Sequence, residues 1–220
     1  MQPSSRILRR RFDTRFRFAG KVVWWVVAPL ARLTFRIWFP LSESKIRLPT
    51  GPVVVAANHF SHLDPVILGG AVRRPMRYLA VDELYGSSRL FDGFVKLAGA
   101  IPMTRTKVPL GAIRLALSEL ATGGTIALFP EGVRVWAWGE QAPKRGAAWL
   151  AIRARVPLVP VAVSGSDLAM GRGARGISRA AMHVEICQPI LPKAFETEPD
   201  PVGAMTNEWA ARIDQALRTR

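Results

Sequence analysis

Apolar positions along this chain change period several times, and the changes outline its elements. Val53–Ala57 is an unbroken run of small apolar residues, as expected of a strand buried on both faces. Asp64–Gly70 opens with Asp-Pro, and proline at the first helical position marks a helix start. Met76–Ala80 returns to strand. From Pro109 to Ala121 the residues Leu110, Ile113, Leu117 and Leu120 recur at helical spacing until Gly123-Gly124 stops them, and Thr125–Phe129 is again strand-like. Ala147–Ala154 reads as helix, Leu158–Val163 and His183–Ile186 as strands, and Thr206–Leu217 as a polar-faced terminal helix. This alternation predicts an α/β domain with a largely parallel sheet flanked by helices.

Ahead of the turn at Pro49-Thr50-Gly51 the pattern differs. Arg6, Arg9, Arg10, Arg11, Arg15 and Arg17 precede the most apolar stretch, Val22 to Leu41. Wound as one helix at about 100° per residue, this region gathers Arg17, Lys21, Arg32 and Arg36 in one sector and sets Val26, Leu30, Leu33 and Ile37 opposite. Pro29 divides it into two short helices. The longest uncharged run, Val22 to Ala31, is about half of the roughly 20 residues that a spanning helix needs. A late apolar start, Arg32, Arg36 and no small-residue cleavage site argue against a secretory signal peptide. Trp24, Trp25 and Trp38 suit interfacial depth, so residues 1–48 are expected to form a membrane-associating amphipathic segment, monotopic or peripheral, ahead of a single domain over 49–220. An amphipathic helix packed on the domain or on a partner is the alternative.

Composition narrows the partners. At 220 residues and 49% apolar, the chain can build one substantial core. A net charge of +15 predicts attraction to polyanions: an anionic membrane surface, an acidic partner or nucleic acid. Tryptophans collect in the N-terminal stretch and at Trp136, Trp138 and Trp149 instead of interleaving with the basic residues, so no nucleic acid is expected. The basic loop Gly171-Arg172-Gly173-Ala174-Arg175-Gly176 is expected to be solvated, beside a lipid or cofactor phosphate. A single cysteine, Cys187, excludes an intramolecular disulfide and a cysteine-built zinc site, fits a cytosol-facing location, and sits in a strand-like alternation as a structural thiol.

The candidate chemistry lies in His59-Phe60-Ser61-His62-Leu63-Asp64, an imidazole and a carboxylate at a strand-to-helix mouth. Along one helix the two side chains would diverge by about 140°, so a meeting requires His59 to lie outside the helix that Asp64 begins. A metal site is not expected, because His183 is the only further histidine and the spacing misses metallo-hydrolase arrangements. Gly165-Ser166 lacks the Gly-x-Ser-x-Gly elbow of serine hydrolases.

Four blocks in order resemble the glycerolipid acyltransferases related to 1-acylglycerol-3-phosphate acyltransferase. They are Asn58–Pro65 with its His, four residues and Asp; Gly99–Arg105; Phe129-Pro130-Glu131-Gly132-Val133-Arg134; and Val156–Val161, with Lys144-Arg145-Gly146 after the third. The resemblance covers about Val53 to Gly165 and implies an O-acyltransferase domain over 49–220. The enzyme it implies moves a fatty acyl group from acyl-CoA or acyl carrier protein to the free hydroxyl of 1-acylglycerol-3-phosphate, giving phosphatidic acid at the cytoplasmic membrane face. No cofactor beyond that co-substrate is expected. His59 would be the general base, oriented by Asp64, since imidazole titrates near neutrality and the carboxylate fixes its tautomer. Asn58 or a nearby backbone N–H would serve the developing oxyanion. Arg134 and Arg105 would fork onto the acceptor phosphate, Glu131 would bond the glycerol hydroxyl or orient an arginine, and Gly132 would let backbone approach closely. Lys107, Lys144 and Arg145 are further cationic candidates. Val133 and Val135 replace a Thr and a frequent Ser of the third block, and Met103-Thr104 an apolar-acidic pair in the second. The two valines are expected to strip two hydroxyls from the polar pocket, which keeps another lysolipid or a glycolipid acceptor open. In a different class, the chain would be a non-catalytic basic membrane-binding protein.

Overall fold

The computed structural model describes residues 22, 24–26, 29–30, 32–34, 37–44, 46–81, 99–103 and 110–219. The strands are β1 (Leu41–Glu43), β2 (Val53–Ala57), β3 (Arg77–Val81), β4 (Ile101–Met103), β5 (Thr125–Leu128), β6 (Leu158–Ser164) and β7 (Met182–Ile186). The helices with assigned bounds are α1 (Asp64–Val72), α2 (Leu110–Ala121), α3 (Gly146–Ala154), α4 (Ser166–Met170) and α5 (Pro201–Arg218), with a 3₁₀ turn at Pro192–Phe195. One sheet holds all seven strands in the order β1-β7-β6-β2-β5-β3-β4. Every neighbouring pair is parallel except β6 with β7.

Strand β2 sits at the centre, buried along its whole length between β5 and β6. Its side chains alternate between two cores. Val54 and Ala56 join Ile126, Leu128 and Leu158 against α2, α3 and α5. Val53, Val55 and Ala57 join Ala127, Val159, Val161 and Val163 against α1. From β2 the chain winds outward to β3 and β4, returns to place β5 beside β2, then crosses to β6 on the other side. The carboxyl end of β2 lies where the sheet changes winding direction, the position at which open α/β sheets bind ligands.

The expected strands and helices are present with small shifts at their ends, and the sheet is largely parallel as the alternation required. Strands β1 and β4 are three-residue strands at the sheet edges, too short to show a period, and Pro102 fits an edge position. Because β1 pairs with β7, a division at residue 49 separates an edge strand from its own sheet; the domain starts at or before Leu41.

The described residues between 22 and 38 are helical. Trp24 packs so closely on α1 that a Cβ at Gly69 would come within 2.9 Å of its ring. Arg32 pairs with Glu43 of β1 at 2.7 Å, and Arg73 reaches the same carboxylate at 3.0 Å. Val26, Leu30, Leu33, Ile37 and Trp38 stand outward, 54–70% exposed. The segment thus lies on the domain with Arg32 turned inward and its apolar row turned out, the reverse of an ordinary surface helix. None of the helices among the described residues is long and apolar enough to cross a membrane. Arg17, Lys21 and Arg36 lie outside the described residues.

The terminal helix α5 is pinned to the central strand by Trp209, 1% exposed, whose indole N–H donates to the Ala56 carbonyl at 2.9 Å. Trp209→Phe removes that bond and part of the ring volume; it is expected to lower unfolding free energy by about 1–3 kcal/mol, read from the urea midpoint.

Candidate active site

Residues 58–64 connect the end of β2 to α1 at the carboxyl end of the central strand. Asn58 is fully buried, and its amide bridges to β6, donating to the Val163 carbonyl at 2.8 Å and accepting the Val163 N–H at 2.7 Å. It latches the loop to the sheet. Occupied on both sides and shut off from solvent, it is not an oxyanion donor, which corrects that assignment.

His59 and Asp64 meet as the loop reading required. Asp64 is the first residue of α1 and His59 precedes the helix, with Nδ1 and Oδ2 2.9 Å apart. An ionised carboxylate only accepts, so Nδ1 carries the proton. The same Oδ2 accepts the backbone N–H groups of Phe60 and Ser61, each at 2.7 Å. Asp64 is wholly buried, whereas the His59 side chain keeps 17% of its surface. Those two backbone donors are therefore tied to the carboxylate and are not available to an oxyanion. The His59 ring stacks on Phe129 with centroids 4.1 Å apart, and Phe129 stacks in turn on Tyr78, whose hydroxyl donates to the Pro65 carbonyl.

The third block wraps the histidine from the other side. Glu131, 2% exposed, accepts the His59 N–H at 3.1 Å, and the Val135 N–H donates to the His59 carbonyl at 2.9 Å. Glu131 is thus a support for the His59 main chain and not a ligand for a glycerol hydroxyl, which it is too buried to reach. Burial, opposed by two backbone hydrogen bonds and reinforced by the Asp64 charge, pushes its carboxyl up to about 7. Val135 is also buried, at 2%, so its methyl groups complete the core and do not line a polar pocket; only Val133 is half-exposed.

Gly132 adopts a left-handed conformation, φ 71°, and a Cβ there would lie 2.8 Å from the Lys144 Nζ. The glycine lets the Lys144 side chain cross the third block, and the Lys144 N–H fixes the crossing by donating to the Pro130 carbonyl at 2.8 Å. Arg145 turns elsewhere and pairs with Asp200, the N-cap of α5. The Arg134 guanidinium is half-buried at the site; burial and then the nearby Arg172 charge lower its pKa, while Asp64 opposes them. His62 is exposed at its surface but partly desolvated, and that desolvation, then the charges of Arg134 and His59, lower its pKa against the opposing Asp64 charge. Arg105 and Lys107 lie outside the described residues. Cys187 is buried in β7's wake with its thiol pushed up to about 11, chiefly by burial, which keeps it protonated and structural. The arrangement offers a held base, two buried carboxylates and a cation: equipment for deprotonating a hydroxyl beside an anionic group.

The raised Glu131 carboxyl has a stability consequence. The folded protein holds this proton more tightly than the unfolded chain, so the contribution is full below about pH 4.5 and declines as pH rises through about 7. Subtracting the pH dependence of Glu131→Gln stability from that of the native chain, in urea melts between about pH 4.5 and 8, is expected to leave that decline.

A family model described as Acyltransferase matches residues 42–164. A 1-acyl-sn-glycerol-3-phosphate acyltransferase of Bacillus subtilis is 28% identical over 166 residues, covering 74% of this chain and 79% of that protein. The 1-acyl-sn-glycerol-3-phosphate acyltransferase alpha of Mus musculus is 32% identical over 172 residues, covering 72% of this chain and 56% of that protein. The crystal structure of the 1-acyl-sn-glycerophosphate (LPA) acyltransferase from Thermotoga maritima superposes with a TM-score of 0.73 at 21% identity, over 91% of this chain and 82% of the other, a likeness of fold. The matched span begins at the edge strand, takes in the His59–Asp64 pair and the Glu131–Arg134 block, and ends with β6: the chain belongs to the acyltransferase family.

Proposed function

We propose that the protein transfers a fatty acyl group from a thioester donor, acyl-CoA or acyl carrier protein, to the free hydroxyl of 1-acylglycerol-3-phosphate, giving phosphatidic acid. The observation that carries this reading is the 2.9 Å contact between His59 Nδ1 and the buried Asp64, with Arg134 beside it to attract a phosphate. The names of the relatives support the same acceptor.

With Nδ1 held by Asp64, His59 Nε2 takes the proton of the acceptor hydroxyl as its oxygen attacks the thioester carbonyl. Asp64 stabilises the imidazolium that forms. Collapse of the tetrahedral intermediate breaks the carbon–sulfur bond, and the imidazolium returns the proton to the departing thiolate. No acyl-enzyme forms. Arg134 pairs with the acceptor phosphate, its guanidinium able to engage two oxygens together.

The outward apolar row of Val26, Leu30, Leu33, Ile37 and Trp38 supports a monotopic position on the cytoplasmic membrane face. A net charge of +15 favours an anionic surface there and an acidic carrier protein as donor. Acceptor and product are membrane lipids, so both substrates would then be met at one interface.

Purified full-length protein in mixed micelles is expected to acylate lysophosphatidate, with His59→Ala and Asp64→Asn each lowering kcat by about 10³-fold or more while circular dichroism stays native. Either variant keeping more than about a tenth of the native rate would remove the base–acid pair from the mechanism. For the membrane, Leu33→Ser with Ile37→Ser is expected to weaken co-sedimentation with phosphatidylglycerol vesicles by at least about tenfold without changing the fold, since two apolar side chains leave the contact.

A further inference from the structure

The loop between α4 and β7 is stitched to the catalytic turn. Ser61, whose N–H is held by Asp64, forms an antiparallel bridge with Gly171 and donates its hydroxyl to the Met170 carbonyl at 2.7 Å. The next residue, Arg172, is therefore delivered to the site by the same turn that carries His59 and Asp64. Its side chain is held from the other side by residues just beyond the third block. The guanidinium carbon lies 5.6 Å from the centroid of the Trp136 ring, and Nη1 is 3.5 Å from Glu140 Oε1. Glu140 in turn accepts the Trp136 backbone N–H at 2.6 Å with its other oxygen. Gly173, φ 81°, lets the loop close over the indole, where a Cβ would sit 3.2 Å from the ring.

These contacts set Arg172 over the ring of Trp136, two residues beyond Arg134, where its charge acts on the Arg134 guanidinium. Two guanidinium groups repel, and on an ordinary surface such long side chains would separate. Here the aromatic platform and the carboxylate hold one of them in place. Glu140 does not cancel it: the ion pair is long and about half exposed, a geometry that contributes little, and it engages one edge of a group with five N–H donors. Two guanidinium groups on neighbouring loops, one of them held over an aromatic ring, suit a phosphate, whose oxygens can accept from both at once.

Resting on the acceptor assigned above, we propose that Arg172, held by Trp136 and Glu140, is the second arm of a phosphate-binding fork with Arg134 and helps set the preference for a phosphate-bearing substrate. The shared chemistry is a phosphoryl group, carried by the acceptor's monoester or by the phosphates of a CoA donor. Arg172 does not handle the transferred proton, so its influence falls on binding.

The test compares the native chain with Arg172→Ala, Arg172→Lys and Glu140→Gln in mixed micelles. Acceptors are lysophosphatidate and a phosphate-free monoacylglycerol; donors are acyl-CoA and an acyl-N-acetylcysteamine thioester. Arg172→Ala is expected to raise KM for lysophosphatidate by about tenfold with kcat within about threefold, to leave monoacylglycerol unaffected, and to be partly rescued by Arg172→Lys. Glu140→Gln should shift KM less, because it loosens the side chain without removing it. A rise in KM confined to acyl-CoA, absent with the N-acetylcysteamine donor, would support the fork with the donor as the phosphate source. Titration calorimetry with short-chain lysophosphatidate reads the same site without turnover. A Kd raised about tenfold by Arg172→Ala in a native protein that does not turn over would overturn the reaction proposed above and leave the fork standing. A turning-over native protein whose KM values and Kd are unmoved by Arg172→Ala would overturn the fork.

Discussion

A fully buried carboxylate needs hydrogen-bond donors, and Asp64 gathers N–H groups of its own chain on one oxygen, Oδ2, while Oδ1 is buried without a hydrogen-bond partner among the described residues. One oxygen gathers the His59 ring and the Phe60 and Ser61 backbone, so a single charge shapes the turn and orients the imidazole. Ser61 then extends the order outward, through its bridge to Gly171, to the loop that carries Arg172. The geometry of the His59–Asp64 pair and the course of the neighbouring loop are thus consequences of the same desolvated charge. Glu131 completes the enclosure on the far side of His59, and burial pushes its carboxyl up to about 7.

The sheet gives this turn a rigid mounting. β2 is paired on both sides and buried throughout, and Asn58 extends the pairing one residue beyond the strand by bonding to both polar groups of Val163. His59 follows immediately. Its ring is packed on Phe129, the residue after β5, while Tyr78 of β3 continues the stack and reaches back to α1. Contributions from three strands therefore converge on one imidazole, and little freedom remains in the ring.

Much of this was legible in the sequence because the signals were local. Alternating periods gave the α/β class, Asp64-Pro65 gave the start of α1, and the five-residue offset required the loop that places His59 outside it. Roles that depend on burial were not legible. Asn58, Glu131 and Val135 all sit in blocks associated with substrate, yet each faces inward, and a linear pattern does not distinguish a polar residue that meets a ligand from one that holds its neighbour's backbone. The part played by Glu140 was hidden for a related reason, since its partners Trp136 and Arg172 come together only when two separate loops fold together. Of the cationic sector of the N-terminal wheel only Arg32 lies among the described residues, and the sequence did not show that it would meet the domain; that was decided by Glu43 on an edge strand too short to be recognised.

The one antiparallel neighbour in the sheet has an evolutionary reach of its own. Because β7 runs against β6, the connection 165–181 leaves and re-enters the sheet at the end where His59 lies. A parallel crossover would have to travel back along the sheet, and its length would be tied to the layer of helices it crosses. This connection carries no such obligation. Beyond the Ser61–Gly171 bridge, over residues 172–181, insertions or deletions can reshape the surface beside the His59–Asp64 turn while strand register stays as it is.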